Sequence, residues 1–236
     1  MTDGPLITLL VPAYNEAATI EDVLRRVAAV DLNTELVVVD DGSTDGTPEI
    51  AERVAADLGG DRLRVVRSDR NRGKGAAVRR GLDSVRGEFV VIQDADLEYD
   101  PRDVPKLVGP LLEGVADVVY GSRLRGGEPQ RAHLFWHYAG NRFLSLLTNV
   151  LFNTTISDME VGYKAFRTEL VRSLELTSDG FGIEPEITAK ILRRGDVRLY
   201  EIPISYYGRT YEEGKKITWR DGVTAVVLLL RFRFAR

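Results

Sequence analysis

The sequence predicts an α/β fold: a mostly parallel sheet flanked by helices, in a single domain. Three observations carry that prediction. Short apolar runs alternate with amphipathic stretches of helical period through the first half of the 236-residue chain. The runs are near-continuous rather than alternating, which marks strands covered on both faces. Acids and glycines gather just after them, where ligands bind in parallel sheets. Strands separated by helices imply right-handed parallel crossovers.

The elements follow in order. Residues 6–11 read as the first strand, and Asn15 is placed to cap a helix whose apolar positions Ile20, Val23, Leu24 and Val27 keep the 3.6-residue period. Residues 36–39 form a second strand ending in Asp40-Asp41-Gly42. Thr47-Pro48 offers an N-cap with proline at the first helical position, and Gly59-Gly60 ends that helix. Residues 63–66 are a third strand, and Gly73-Lys74-Gly75 opens a helix through about residue 82. Residues 89–93 are the fourth strand, Asp100-Pro101 starts another helix, and residues 118–120 are the fifth strand. The second half is less regular: a helix over 131–150, a polar, glycine-containing stretch over 157–164, a helix over 184–194 and a strand over 198–204. No repeat, low-complexity tract or linker divides the chain.

Composition sets limits. Hydrophobic residues make up 44% and charged residues 29%, with a net charge of −4, which fits a globular protein and argues against a broad nucleic-acid footprint. The absence of cysteine excludes disulfides, thiolate nucleophiles and cysteine metal sites, and favours a cytosolic setting. The N-terminus is short and polar without a basic segment, so no signal peptide is expected. The longest apolar run, 223–230, is far short of the roughly 20 residues a spanning helix needs. Arginines and phenylalanines follow it, which suits either a helix at a membrane interface or one docked on the core or a second subunit.

The most informative stretch is residues 90–98. An apolar run ends in Asp94-Ala95-Asp96, with Glu98 two further on. In extended backbone these carboxylates share a face. Like charges that close need a cation, and Mg²⁺ or Mn²⁺ accepts one or two carboxylates plus phosphate oxygens. The alternative is a solvated acidic turn.

Four segments together resemble glycosyltransferase family 2, with its GT-A, Rossmann-like fold: Val11-Pro12-Ala13-Tyr14-Asn15-Glu16, the run from Val39-Asp40-Asp41-Gly42-Ser43 to Thr47, Asn71-Arg72-Gly73-Lys74-Gly75, and Asp94-Ala95-Asp96. Gly121-Ser122-Arg123, Ser157-Asp158-Met159-Glu160-Val161-Gly162-Tyr163-Lys164 and Tyr207-Gly208-Arg209-Thr210 with Lys215-Lys216 further resemble the polyprenyl-phosphate branch, the dolichyl-phosphate mannose synthase-like enzymes. On that resemblance about 1–120 is a nucleotide-sugar half, about 121–216 an acceptor-side half and about 217–236 a C-terminal amphipathic helix. Some members continue into transmembrane helices, which this sequence does not show.

The resemblance implies inverting, metal-dependent transfer of a hexose from a nucleotide sugar to a polyprenyl or dolichyl phosphate. UDP-glucose is favoured, on the run Phe181-Gly182-Ile183-Glu184-Pro185-Glu186, with GDP-mannose next. Asp96 is the leading metal ligand; Asp94 serves metal or ribose, and Glu98 completes the set. Asp41 would accept from uracil or ribose, while Pro12, Tyr14 and Glu16 wall the nucleoside pocket. Asp40 either joins them or caps a turn. Lys74 stands near the nucleotide or at a solvated helix start, and its loop lacks Walker spacing. Arg123 meets a donor or acceptor phosphate. Arg209, Lys215 and Lys216 lie on a segment that could close over the diphosphate. Asp158 is the base candidate by family position, with Glu160 a weaker one. Glu184 and Glu186 reach sugar hydroxyls or favour a helix start. His133 and His137 sit four apart, but an aromatic membrane- or acceptor-facing segment fits better than zinc. The expected setting is cytoplasmic and peripheral at the cytoplasmic face of a membrane, directly or through a membrane-protein partner, with a homo-oligomer left open. A soluble or protein acceptor, or a nucleotide-sugar binding module without catalysis, remain the alternatives.

Overall fold

The computed structural model describes residues 6–132, 134–210 and 218–234. Seven strands form one sheet: β1 (Ile7–Ala13), β2 (Thr34–Asp40), β3 (Leu63–Arg67), β4 (Phe89–Ile92), β5 (Val118–Ser122), β6 (Lys164–Arg167) and β7 (Leu199–Pro203). Their spatial order is β3-β2-β1-β4-β6-β5-β7. All neighbours are parallel except β6, which runs against both β4 and β5. The crossovers are α1 (Ile20–Ala28), α2 (Thr47–Asp57), α3 (Lys74–Leu82) and α4 (Val104–Leu112), and the second half adds α5 (Phe135–Phe152), α6 (Thr168–Arg172), α7 (Ile183–Arg194) and α8 (Trp219–Phe234).

The apolar runs form strands because both of their faces can be covered. β1 and β2 are buried along their whole length. On α1, Ile20, Val23, Leu24 and Val27 are completely buried, as the helical period requires. Its exposed face carries Glu21–Arg25 and Asp22–Arg26 pairs four residues apart, with the acids at the positive end of the helix dipole. A smaller cluster of Leu144, Met159, Ala189, Ala225 and Leu229 joins α5, α7 and α8. Among the described residues no helix is long and apolar enough to cross a membrane.

Three local readings change. Asn15 does not cap α1: it sits at φ 51°, its side-chain oxygen accepts from Thr44 N, and its own N–H goes to Ser43 Oγ. The start of α2 is held by Asp45 rather than Thr47, with Asp45 Oδ1 accepting from Thr47 N at 3.1 Å. The polar stretch 157–164 leads into β6, a strand of four residues that the sequence pattern hides because it begins with a lysine.

Register then fixes the site. Ala13 pairs with Asp40, Leu10 with Ile92, and both Ile92 and Tyr120 with Lys164. The carboxyl ends of β1, β2, β4 and β5 therefore share one edge, and reversed β6 brings the loop before it to that same edge. Gly73, at φ +102°, turns the chain into α3. Gly75 lets the helix press on the loop beyond: a methyl there would land on the Ser178 carbonyl oxygen, and Ala76 N already donates to Asp179 O at 2.9 Å. Gly75→Ala meets backbone that cannot rotate aside. It should lower the urea midpoint by an amount equivalent to about 1–3 kcal/mol, with the slope unchanged.

Candidate active site

A cleft of about 1310 Å³ opens at the carboxyl edge of the sheet. That exceeds the roughly 300–1,000 Å³ of a one-ligand pocket, so it has room for two substrates. Pro12, Tyr14, Glu16, Asp41, Lys74, Asp94, Asp96, Glu98, Arg123 and Arg209 are among the residues that line it. Of the expected site residues in the described part, Asp158, Asp40 and Glu186 do not line this cleft. Lys215, Lys216 and His133 lie outside the described residues.

The nucleotide side is built from strand ends. Asp41 is buried, and its carboxylate accepts from the Arg72 and Gly73 N–H groups at 2.6–3.1 Å, tying the loop before α3 to the end of β2. Burial pushes its carboxyl up, and those backbone bonds oppose the shift. Asp40 caps its own turn by accepting from Gly42 and Ser43 N–H groups, so the turn reading is the one seen. Lys74, first residue of α3, reaches Asp94 at 2.7 Å and Glu184 at 3.1 Å. Burial alone would lower its ammonium, but the two acids hold it well above its ordinary value.

Beyond Glu184 lies a completely buried lysine, Lys164, the first residue of β6. It donates to Glu184 and to the Val161 carbonyl, and to Met159 O at 3.3 Å. Asp94, Lys74, Glu184 and Lys164 thus alternate in sign from β4 through α3 and α7 to β6. Each charge removed from water has a partner, without which burial would be prohibitive. Glu186 points away from the cleft: it accepts from Thr177 and Ser178 N–H groups and pairs with Lys190 at 2.7 Å.

The three acids expected on one face are not arranged so. β4 stops at Ile92, the extended geometry ends, and the side chains part. Asp94 turns to Lys74, while Asp96 and Glu98 turn to Arg209. Arg209 also reaches Glu16 at 3.2 Å, so one guanidinium stands among three carboxylates. Glu98 is held further by Tyr206 OH at 2.9 Å and by Arg209 N at 2.6 Å. Among the described residues no three such side chains gather closely enough to cage a metal by themselves. The donor set still suits Mg²⁺ or Mn²⁺. It offers hard oxygens, and Asp96 is pushed up to about 7 by burial and by repulsion from Asp94 and Glu98, Arg209 notwithstanding. One guanidinium among three carboxylates leaves the lip short of positive charge, and such a cation needs only one or two carboxylates when phosphate supplies the rest.

Arg123, just past β5, also lines the cleft. Asp158 takes it bidentately, Nε and Nη2 each at 2.7 Å, and also accepts its backbone N–H at 2.9 Å. Asn141 of α5 adds a bond at 2.8 Å. Asp158 is fully buried; burial would raise its carboxyl, but the Arg123 guanidinium holds it below its usual range. The Tyr206 ring lies 5.1 Å from the guanidinium, within cation–π reach. Glu201 of β7 fixes the loop, accepting from Ser157 N and Asp158 N at 2.9–3.1 Å. Glu160 differs: its Oε1 is closed off from solvent and has no hydrogen-bond partner, although the residue lines the cleft.

The sequence reading passed over Tyr206, Asn141, Lys164 and Glu201. Glu201 carried a signal, since it is a charged residue inside the strand read over 198–204. Around the mouth, Phe135, Trp136, Tyr138, Trp219 and Val223 line the cleft and are exposed, Trp136 by 82% and Trp219 by 76%. His137 lies in this aromatic segment on α5.

Comparison with known proteins agrees with this geometry. The family model described as glycosyl transferase family 2 matches residues 8–174. Glycosyltransferase AglJ of Haloferax volcanii is 36% identical over 208 residues, covering 86% of this chain and 63% of that protein. Dolichol-phosphate mannosyltransferase of Pyrococcus furiosus is 30% identical over 213 residues, covering 89% and 58%. The chain thus spans less than two thirds of these curated relatives. Glucosyl-3-phosphoglycerate synthase from Mycobacterium tuberculosis, solved with Mn²⁺, UDP and phosphoglyceric acid, superposes with a TM-score of 0.74 at 27% identity, covering 99% of this chain and 80% of that one.

Two outcomes are expected. Asp158→Ala strands a buried guanidinium and should cost about 3–5 kcal/mol in chemical denaturation at pH 7. Because the Asp158 carboxyl is depressed in the folded state, this contribution is present above its unfolded value of about 3.9 and disappears as pH falls through the folded one. Asp96 has the opposite sign. Its raised folded value means that the ligand-free protein loses stability as pH rises from about 4 to about 7. Asp96→Asn should therefore raise the thermal midpoint at pH 8.

Proposed function

The chain belongs to glycosyltransferase family 2, and from that premise we propose that it transfers a hexose from a nucleotide sugar to a polyprenyl or dolichyl phosphate, inverting the anomeric centre. The observation that carries this reading is what one cleft brings together: acids with Lys74, a braced Arg123, and exposed aromatics at the mouth. The first group suits a nucleoside diphosphate with its cation, the second an acceptor phosphate, and the third an isoprenoid tail.

Pro12, Tyr14 and Asp41 would wall the nucleoside, and Lys74 would meet the diphosphate. Asp96, flanked by Asp94 and Glu98, would hold Mg²⁺ or Mn²⁺ together with phosphate oxygens. When bound, that cation offsets the charge that builds on the departing diphosphate. Arg209 would leave the acids for the diphosphate as its segment closes, and closure excludes the water that would otherwise hydrolyse the donor. Arg123 retains N–H donors beyond the two that Asp158 engages, and these would orient the acceptor phosphate. Asp158, bonded on both oxygens, suits bracing Arg123 better than accepting a proton.

The Pyrococcus relative's name supports a lipid-phosphate acceptor, and the complexes of the Mycobacterium synthase with UDP-glucose and Mn²⁺ support a UDP-sugar and a divalent metal. UDP-glucose is the donor favoured here, then GDP-mannose. The exposed Trp136 and Trp219 are placed to rest at a bilayer interface, which favours a peripheral membrane setting over a soluble phosphate acceptor.

A thermal-shift screen of UDP-, GDP- and dTDP-sugars with and without Mn²⁺ should single out one donor, because a ligand raises the midpoint by mass action. Asp96→Ala should fold and lose that metal-dependent shift. Sugar transfer should then proceed to a short-chain polyprenyl phosphate. Transfer to 3-phosphoglycerate in preference would overturn the lipid assignment.

A further inference from the structure

We propose that Glu160 is an acceptor-binding residue that carries a proton on its carboxyl group and donates it to a phosphate oxygen of the acceptor, beside Arg123. The inference rests on the phosphate-acceptor reading above and gives Glu160, until now only a weaker base candidate, a different role in that site.

Placement comes first. Asp158 and Glu160 share one loop, yet Asp158 faces inward to Arg123 while Glu160 lies on the cleft wall with Arg123, Tyr99 and Gly162. Asp158 is bonded on both oxygens, whereas Glu160 Oε1 is shut away from solvent with nothing to bond. A carboxylate oxygen shut away without a donor disfavours the ionised form, so the carboxyl group on the cleft wall keeps a proton that it can offer to a ligand.

The charges facing Glu160 come from each neighbouring element. Glu184 of α7 and Asp158 of its own loop disfavour its ionisation; Lys164 of β6 and Arg123 past β5 favour it. Burial and Glu184 prevail and push the carboxyl up to about 7. A phosphate monoester has its second pKa near 6, and a neighbouring guanidinium lowers it further. When such an ester docks, any proton it still carries moves to Glu160, which is then a neutral hydrogen-bond donor to a dianion. Ionised, the same carboxylate would repel it.

In the transfer, the phosphate oxygen bonds to the anomeric carbon. The bond from that carbon to the diphosphate oxygen breaks, and its electron pair leaves with the diphosphate. The proton stays on Glu160, so no further reactant is needed.

Glutamine is neutral and carries N–H donors, so Glu160→Gln should imitate the protonated acid, and Glu160→Ala should not. Wild type should show an acceptor KM for a short-chain polyprenyl phosphate that climbs above pH 7, approaching roughly tenfold per pH unit. Glu160→Gln should keep the low-pH acceptor KM across the range, and Glu160→Ala should have a raised one throughout, with donor KM unchanged in both. Calorimetry in buffers of different ionisation enthalpy should show wild type taking up protons when the lipid phosphate binds at pH 7.5, and Glu160→Gln taking up none. A flat wild-type acceptor KM, or a Gln variant as impaired as the Ala variant, overturns the proposal while the acceptor reading stands. A wild type inert toward every phosphomonoester, yet able to use a hydroxyl acceptor, sinks both.

Discussion

The direction of one four-residue strand governs the chemistry of the cleft. β6 runs against β4 and β5, so its amino end meets their carboxyl ends. Had β6 been parallel, the 158–164 loop would lie at the opposite edge of the sheet, and Arg123 would have no Asp158. The same reversal delivers Lys164 under the cleft floor, where it reaches Glu184 and, through it, Lys74 and Asp94. Two halves of the chain thereby share one electrostatic unit.

That unit obeys a simple constraint: charges withdrawn from water must find each other. The Arg123–Asp158 pair meets it with bidentate geometry, and the chain from Asp94 to Lys164 by alternating sign. The acidic lip meets it incompletely, since Arg209 is spread over Glu16, Asp96 and Glu98. Glu160 does not meet it at all within the chain. Both of these places face the cleft, as expected when perturbed groups are kept for ligands.

Most of the first half was legible in sequence, because apolar runs that are buried on both faces announce themselves and glycines mark the turns between them. Gly73-Lys74-Gly75 was read as a helix start and is one. The acids at 94, 96 and 98 were read correctly as a group at the sheet edge but not in their directions, which depend on where β4 stops. Asp158 was read as a base candidate, and its burial against Arg123 was not legible, because that partner lies 35 residues away in sequence. Tyr206 and Asn141 gave no local signal; a tyrosine after a strand and an asparagine in a helix acquire meaning only through what they touch. β6 was invisible since four residues opening on a charge fall below any periodicity.

Arg209 has one more consequence. It is a cation that belongs to the chain itself, standing among Glu16, Asp96 and Glu98 with its backbone N–H anchored on Glu98. Dilution cannot remove it, and a stray divalent ion arriving alone must outcompete it for the same oxygens. An ion that comes with a diphosphate offers the displaced guanidinium a new anion to hold, so the exchange leaves no charge abandoned. Under the proposed function, the empty protein would thus be a poor trap for free metal and a good one for metal already paired with a nucleotide.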